Sequence, residues 1–147
     1  MALHDTIIAD MTTAMKGQDK FTLSVLRMLK SALQLEKISK QHDLSDEEVI
    51  AVIKKQVKMR KDSITEYTNY GKLNEVENLT KEVECLSNYL PEELSSEELN
   101  KIIDAVFEEL QPSTMKDMGR TVKEIGSRTA GRADMSQVSA LVKARLQ

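Results

Sequence analysis

The sequence predicts an all-α protein, an N-terminal four-helix unit followed by a small three-helix bundle, and three observations carry that prediction. Apolar residues recur at the i, i+3, i+4, i+7 spacing of one helical face along most of the 147 residues, and no stretch reads convincingly as a strand. Helix-start signals stand at Ser45-Asp46-Glu47-Glu48 and Ser95-Ser96-Glu97-Glu98, where a Ser hydroxyl and a Glu three residues on can satisfy free amides. Pro91 then divides the chain, because proline disfavours helix in the residue before it and has no N–H to donate to a continuing one. The expected domains are residues 1–90 and 91–147.

Taken in order, Leu3 to Lys16 places Leu3, Ile7, Ile8, Met11 and Met15 on one stripe and meets Gly17, a suitable C-cap. A second helix starts after Asp19 and reaches about Lys40, with Leu23, Leu26, Leu29 or Lys30, Leu33 and, at its end, Ile38 along its seam. The Ser45 box opens a third helix that runs to Tyr70 and stops at Gly71. Its apolar face is Val49, Val52, Ile53, Val57, Ile64 and Tyr67, and Arg60 falls in the middle of that face. A half-buried guanidinium is costly unless paired, so Arg60 needs a carboxylate, and Glu82 on the next helix is the first choice. Lys54, Lys58 and Lys61 form a basic row on the opposite side, of the kind that is usually solvated. The fourth helix, about Asn74 to Tyr89, is acidic and carries Val76, Leu79, Val83, Leu86 and Leu90.

Beyond Pro91, a helix bears Leu99, Ile102, Ile103, Val106 and Leu110 before Gln111-Pro112-Ser113 breaks it. The next helix is read from Met115: Met115, Met118, Val122 and Ile125 share an apolar sector, while Lys116, Arg120 and Lys123 line up at i, i+4 and i+7 on the far side. Gly119 and Gly126 lie along the border between these faces, where a missing side chain lets another backbone approach closely. After a turn at Gly131, Asp134 caps a last helix with Met135, Val138, Leu141, Val142 and Leu146.

Composition narrows the function. Aromatics are 3% of the chain against 40% hydrophobic residues, so aliphatic side chains and eight adaptable methionines must build the core. Cys85 is the single cysteine, and with His4 and His42 it offers neither a disulfide framework nor zinc spacing. No apolar run approaches a membrane span and no signal peptide is recognisable, which points to the cytoplasm. Charge is segregated: residues 1–61 carry +3, residues 62–111 carry -10 and residues 112–147 carry +4. The basic tail can contact a polyanion through Lys116, Arg120, Lys123, Arg128, Arg132 and Lys143. Arg145 projects toward the apolar side of the last helix and is expected to snorkel.

Several of these segments carry a resemblance. Tyr89-Leu90-Pro91, then Leu94-Ser95-Ser96-Glu97-Glu98-Leu99, then Lys116-Asp117-Met118-Gly119-Arg120, then Gly131-Arg132-Ala133-Asp134 with Val138, resemble in that order the GatB/YqeY family. That family comprises small YqeY-like proteins and the matching tail of the B subunit of the tRNA-dependent amidotransferase. The chain departs from the pattern at Thr121, where the family carries a large apolar residue. The resemblance implies that residues 91–147 form a bundle similar to ubiquitin-associated domains and that the tail grips tRNA.

Catalytic constellations are missing from the sequence. The glycines at 119, 126 and 131 follow no strand, so they fit neither a dinucleotide nor a phosphate loop, and no base accompanies Cys85. No cofactor or metal ligand set is expected, and no intrinsic activity. The resemblance implies carbon-nitrogen ligase activity, with glutamine as amide donor, only in association with other subunits. The expected role is tRNA binding through phosphates and RNA shape, with Gly119, Gly126 or Gly131 admitting a backbone. The competing class is a helical protein-interaction module using the surface around Met115, Met118 and Met135.

Overall fold

The computed structural model describes residues 2–147, which form seven α-helices and no strand. The helices are α1 (Leu3–Lys16), α2 (Lys20–Lys40), α3 (Asp46–Asn69), α4 (Leu73–Ser87), α5 (Ser96–Leu110), α6 (Met118–Thr129) and α7 (Met135–Leu146), with a 3-10 turn at Met115–Asp117. The chain separates into two compact units at the Leu90–Pro91 junction.

In the first unit, Ile7 of α1, Val25, Leu26, Leu29 and Leu33 of α2, Val49, Val52, Ile53 and Val57 of α3, and Leu86 of α4 make one buried cluster. Each such side chain contributes roughly 1.5–3 kcal/mol through removal from water, which offsets the entropy lost in ordering it. The α3 start is fixed by its box: Ser45 Oγ accepts from the Glu48 amide at 3.2 Å, and Glu48 Oε1 accepts from the Ser45 amide at 3.0 Å. That amide, with the Lys40 ammonium, holds the Glu48 carboxyl well down, at about 2.

Two apolar assignments of this unit change. Seven residues from Ile7 nearly complete two helical turns, so Ala14 is buried in line with it while Met15 is exposed. Ile38 lies nine residues, half a turn out of phase, from buried Leu29 and is exposed. Gly17 is the C-cap of α1, its amide donating to the Thr13 carbonyl at 2.9 Å, and the left-handed residue that reverses the chain is the next one, Gln18, at φ 55°.

The second unit buries Leu99, Ile103 and Val106 of α5 against Ile125 of α6, Ala133, and Val138 and Val142 of α7. Ser95 caps α5, its Oγ accepting from the Glu98 amide at 3.1 Å, but Glu98 Oε1 accepts from the Ser95 hydroxyl rather than from its amide, so the box is only half formed. Met115 follows extended Thr114 on the 3-10 turn and is exposed rather than part of the α6 seam. The inward stripe of α6 is Thr121, Ile125 and Thr129, all buried. Thr121, the position at which the sequence departs from the resembled pattern, is fully buried, and its hydroxyl is satisfied by donating to the Asp117 carbonyl at 2.8 Å. Thr129 likewise donates to the Gly126 carbonyl at 3.1 Å.

Candidate nucleic-acid interface

Lys116 stands on the 3-10 turn, Arg120, Lys123 and Arg128 on α6, Arg132 in the turn after it, and Lys143 on α7. The six cations divide into two groups. Lys116, Lys123 and Lys143 are exposed and form no ion pair with any described residue. Arginines 120, 128 and 132 are instead tied into the bundle.

Arg120 Nε lies 3.3 Å from Asp117 Oδ1, and its guanidinium also donates to the Leu110 carbonyl at 3.2 Å. Asp117 in turn accepts from the amides of Ser113 at 2.9 Å and Thr114 at 3.4 Å. Those backbone donors, more than Arg120, hold the Asp117 carboxyl below its ordinary range. Asp117 and Arg120 together therefore brace the connection from α5. Arg128 is forked between Glu109 on α5 and Glu124 one turn back, the latter at 3.0 Å, and these carboxylates raise its affinity for its proton. Arg132 Nε donates to the Glu92 carbonyl at 2.9 Å, and its own carbonyl accepts from Leu94 at 2.8 Å, stitching the start of the unit to the α6–α7 turn. Arg145 pairs with Asp104 at 2.6 Å and lies over the Phe107 ring, 5.2 Å from its centroid.

The three glycines differ in what surrounds them. A Cβ on Gly119 would meet nothing within 4 Å, so no part of the chain occupies that space. At Gly126 the neighbour is Met135, whose Cε would lie 3.1 Å from an added Cβ; a side chain makes the approach there. Gly131 has φ 82° and follows Ala130 at φ 47°, so the turn needs left-handed backbone twice.

Elsewhere, Arg60 Nε lies 3.6 Å from Glu82 Oε1, and the guanidinium donates to the Gln56 carbonyl and to Gln56 Oε1, both at 3.0 Å. In the α3 basic row Lys58 pairs with Asp62 at 3.2 Å. Cys85 is half-buried, and burial together with Asp19, Asp10 and Glu82 pushes its thiol up, away from a reactive thiolate. Among the described residues no group of three His, Cys, Asp or Glu side chains could hold a metal ion, and no helix is long and apolar enough to cross a membrane.

Two features escape the sequence reading. Tyr67 and Tyr70, with Ser63, Glu66 and Lys72, line an open groove of roughly 340 Å³ at the α3–α4 turn. The other is an exposed apolar line along α2, whose seven-residue spacing is visible in the sequence but is masked by the buried seam on the same helix. No curated protein matches the chain. The family model of the YqeY-like proteins matches residues 4–146, all but a few terminal residues. With that match, and with an all-α fold whose second unit begins at Pro91, the chain belongs to the YqeY-like protein family.

Proposed function

We propose that the C-terminal unit binds folded RNA of the tRNA class, as an accessory related to the tail of the glutamine-dependent aminoacyl-tRNA amidotransferase. The observation that carries this reading is the set of three exposed, unpaired lysines, Lys116, Lys123 and Lys143, in a unit with little acidic charge beyond α5. Phosphates can replace water around these ammonium groups without breaking any internal bond. Arg120, Arg128 and Arg132 contribute only where a phosphate competes with the carboxylates and carbonyls that now hold them. The open side of Gly119 leaves room for a sugar-phosphate backbone.

Filter binding of folded tRNA across a salt series tests the proposal. Three engaged lysines give a slope of log affinity against log salt of about -3, and recruitment of the arginines steepens it to about -5. Lys116→Glu with Lys123→Glu should weaken binding at least about tenfold, as two lost phosphate contacts and two added repulsions would. Binding that is indifferent to salt and to this double substitution would refute it. Gly119→Ala should leave the fold intact and weaken RNA binding if a backbone approaches there.

A second reading, a protein-interaction module, is favoured by the exposure of Met115 and Met135 on the same unit. It predicts partner capture that Met115→Ser abolishes and salt leaves unchanged. Membership of a carbon-nitrogen ligase complex predicts co-purification with an amidase and ammonia release from glutamine.

A further inference from the structure

The last two turns of α3 with its cap residue present Ser63, Glu66, Tyr67 and Tyr70 at i, i+3, i+4 and i+7, on one side of the helix, and these four with Lys72 line the groove of roughly 340 Å³. The turn that follows is fixed by backbone bonds. The Gly71 amide donates to the Thr68 carbonyl at 3.1 Å and the Lys72 amide to the Tyr67 carbonyl at 2.9 Å, the paired closure that a glycine at φ 72° permits. Helix end and lysine are thereby held in one arrangement. The Ser63 hydroxyl, the Glu66 carboxylate, both phenol hydroxyls and the Lys72 ammonium make no hydrogen bond or ion pair with any described residue. Tyr67 is half-buried, and Tyr70 is 73% exposed.

We propose that this groove holds a single ribonucleotide, its base against the Tyr67 and Tyr70 rings, its ribose hydroxyls donating to Glu66 and its phosphate accepting from Lys72. Each lining group then meets the chemistry it lacks. Tyrosine rings offer a flat face on which any base can stack, ionised Glu66 can only accept hydrogen bonds, and Lys72 can only donate them. A ligand that is only cationic would suit the rings and Glu66 but oppose Lys72, and one that is only anionic would do the reverse. The volume lies at the low end of the about 300–1,000 Å³ that small ligands fill, which suits one nucleotide. Charge sets the same limit. Asp62 and Glu77 are already bonded to Lys58 at 3.2 Å and to Lys81 at 3.4 Å, which leaves exposed Glu66 and Glu75 against Lys72 in this stretch. One phosphate is balanced there, and a row of phosphates is repelled. The same chemistry comes from a free mononucleotide or from an unpaired nucleotide of a folded RNA; the second source alone rests on the RNA-binding reading of the C-terminal unit.

Proton NMR of the full chain titrated with AMP reads the site directly, because three tyrosines and two phenylalanines give a sparse aromatic spectrum. Stacking should move the ring protons of Tyr67 and Tyr70 upfield, while those of Tyr89, held to Asp10, stay in place. Saturation should come with a dissociation constant at or below about 1 mM, and log affinity should fall with log salt at a slope of about -0.7 to -0.9, as a single phosphate gives. Tyr67→Phe should retain binding, and Tyr70→Ala should weaken it at least about tenfold. Lys72→Ala should lower the affinity for AMP to that for adenosine, and Glu66→Ala should remove a preference for AMP over dAMP, with helical circular dichroism unchanged in both. Folded tRNA separates the two sources: weaker tRNA binding by Tyr70→Ala assigns the nucleotide to the RNA, and unchanged tRNA binding assigns it to a free mononucleotide. Rings that do not respond to about 10 mM AMP, ten times that limit, overturn the inference, as does a natural protein that binds adenosine and AMP alike or arginine amide as well as AMP. Any of these results leaves RNA binding by Lys116, Lys123 and Lys143 to its own salt series.

Discussion

Arg60 is 7% exposed, and its Nε, 3.6 Å from Glu82, hydrogen-bonds to no described residue. Its charge is compensated by Glu82 and Gln56, but the geometry is incomplete, and this decides how the pair answers mutation. Glu82→Gln leaves a buried guanidinium with little opposing charge and should destabilise by about 1–3 kcal/mol, less than a fully buried pair because Glu82 is part-exposed. Arg60→Met removes charge and orphan donor together and should be near neutral or stabilising, to within about 1 kcal/mol. Urea midpoints at constant m-value measure both, and an Arg60→Met protein less stable than Glu82→Gln would refute the argument. Tyr89 makes a second test. Its hydroxyl donates to Asp10 Oδ2 at 2.5 Å, and burial first, then this bond and the Asp10 charge, push its ionisation far above the ordinary value of 10.0. The folded state therefore keeps a proton that the unfolded chain releases near pH 10. Stability from this site is complete below that pH and declines as pH rises above it. Thermal melts between pH 8 and 11 should fall more steeply for the natural protein than for Tyr89→Phe.

Helix ends separate what periodicity reveals from what it hides. The starts at Asp19, Ser45, Ser95 and Asp134 are legible because each depends on a short polar side chain bonding to an amide two or three residues away. Stops depend on which residue takes a left-handed backbone, and among the described residues four that are not glycine do so: Gln18, Gln41, Gln111 and Ala130. Nothing in a glutamine or alanine announces this. The phase of α6 was hidden for a related reason: a buried Thr pays its polar cost by bonding its own helix, so Thr121 and Thr129 line the core although neither looks apolar. The basic face was legible as six cations, but not that three arginines are held by Asp117, Glu109, Glu124 and the carbonyls of Leu110 and Glu92, because those partners come from other turns and helices. The Ala130 turn gives the element-scale prediction. Ala at φ 47° is strained relative to Gly, so Ala130→Gly should stabilise by about 0.5–1 kcal/mol, read as a higher melting temperature. An unchanged or lower value would show that the turn is not strained.

At the scale of the whole chain, two hydrophobic clusters of unequal size share no buried member: ten buried residues anchor the first and seven the second. The second also falls within 57 residues, a size at which one core supplies only about 3–5 kcal/mol. Its cross-links include Arg128 with Glu109 and Arg145 with Asp104, pairs near the surface that water and salt screen, so they add little. The first unit gains a larger core and the completed Ser45 box. Opening of the second unit should thus require less free energy than opening of the first. Native-state hydrogen exchange followed by mass spectrometry should find the interior amides of α5, α6 and α7 exchanging faster than those of α2 and α3. Folded tRNA at about 100 times its dissociation constant should slow exchange in α5–α7 by about a hundredfold, the protection that binding to the native unit alone confers. Equal protection in both units would mean that they unfold as one, and the cores could no longer be treated as separate sources of stability.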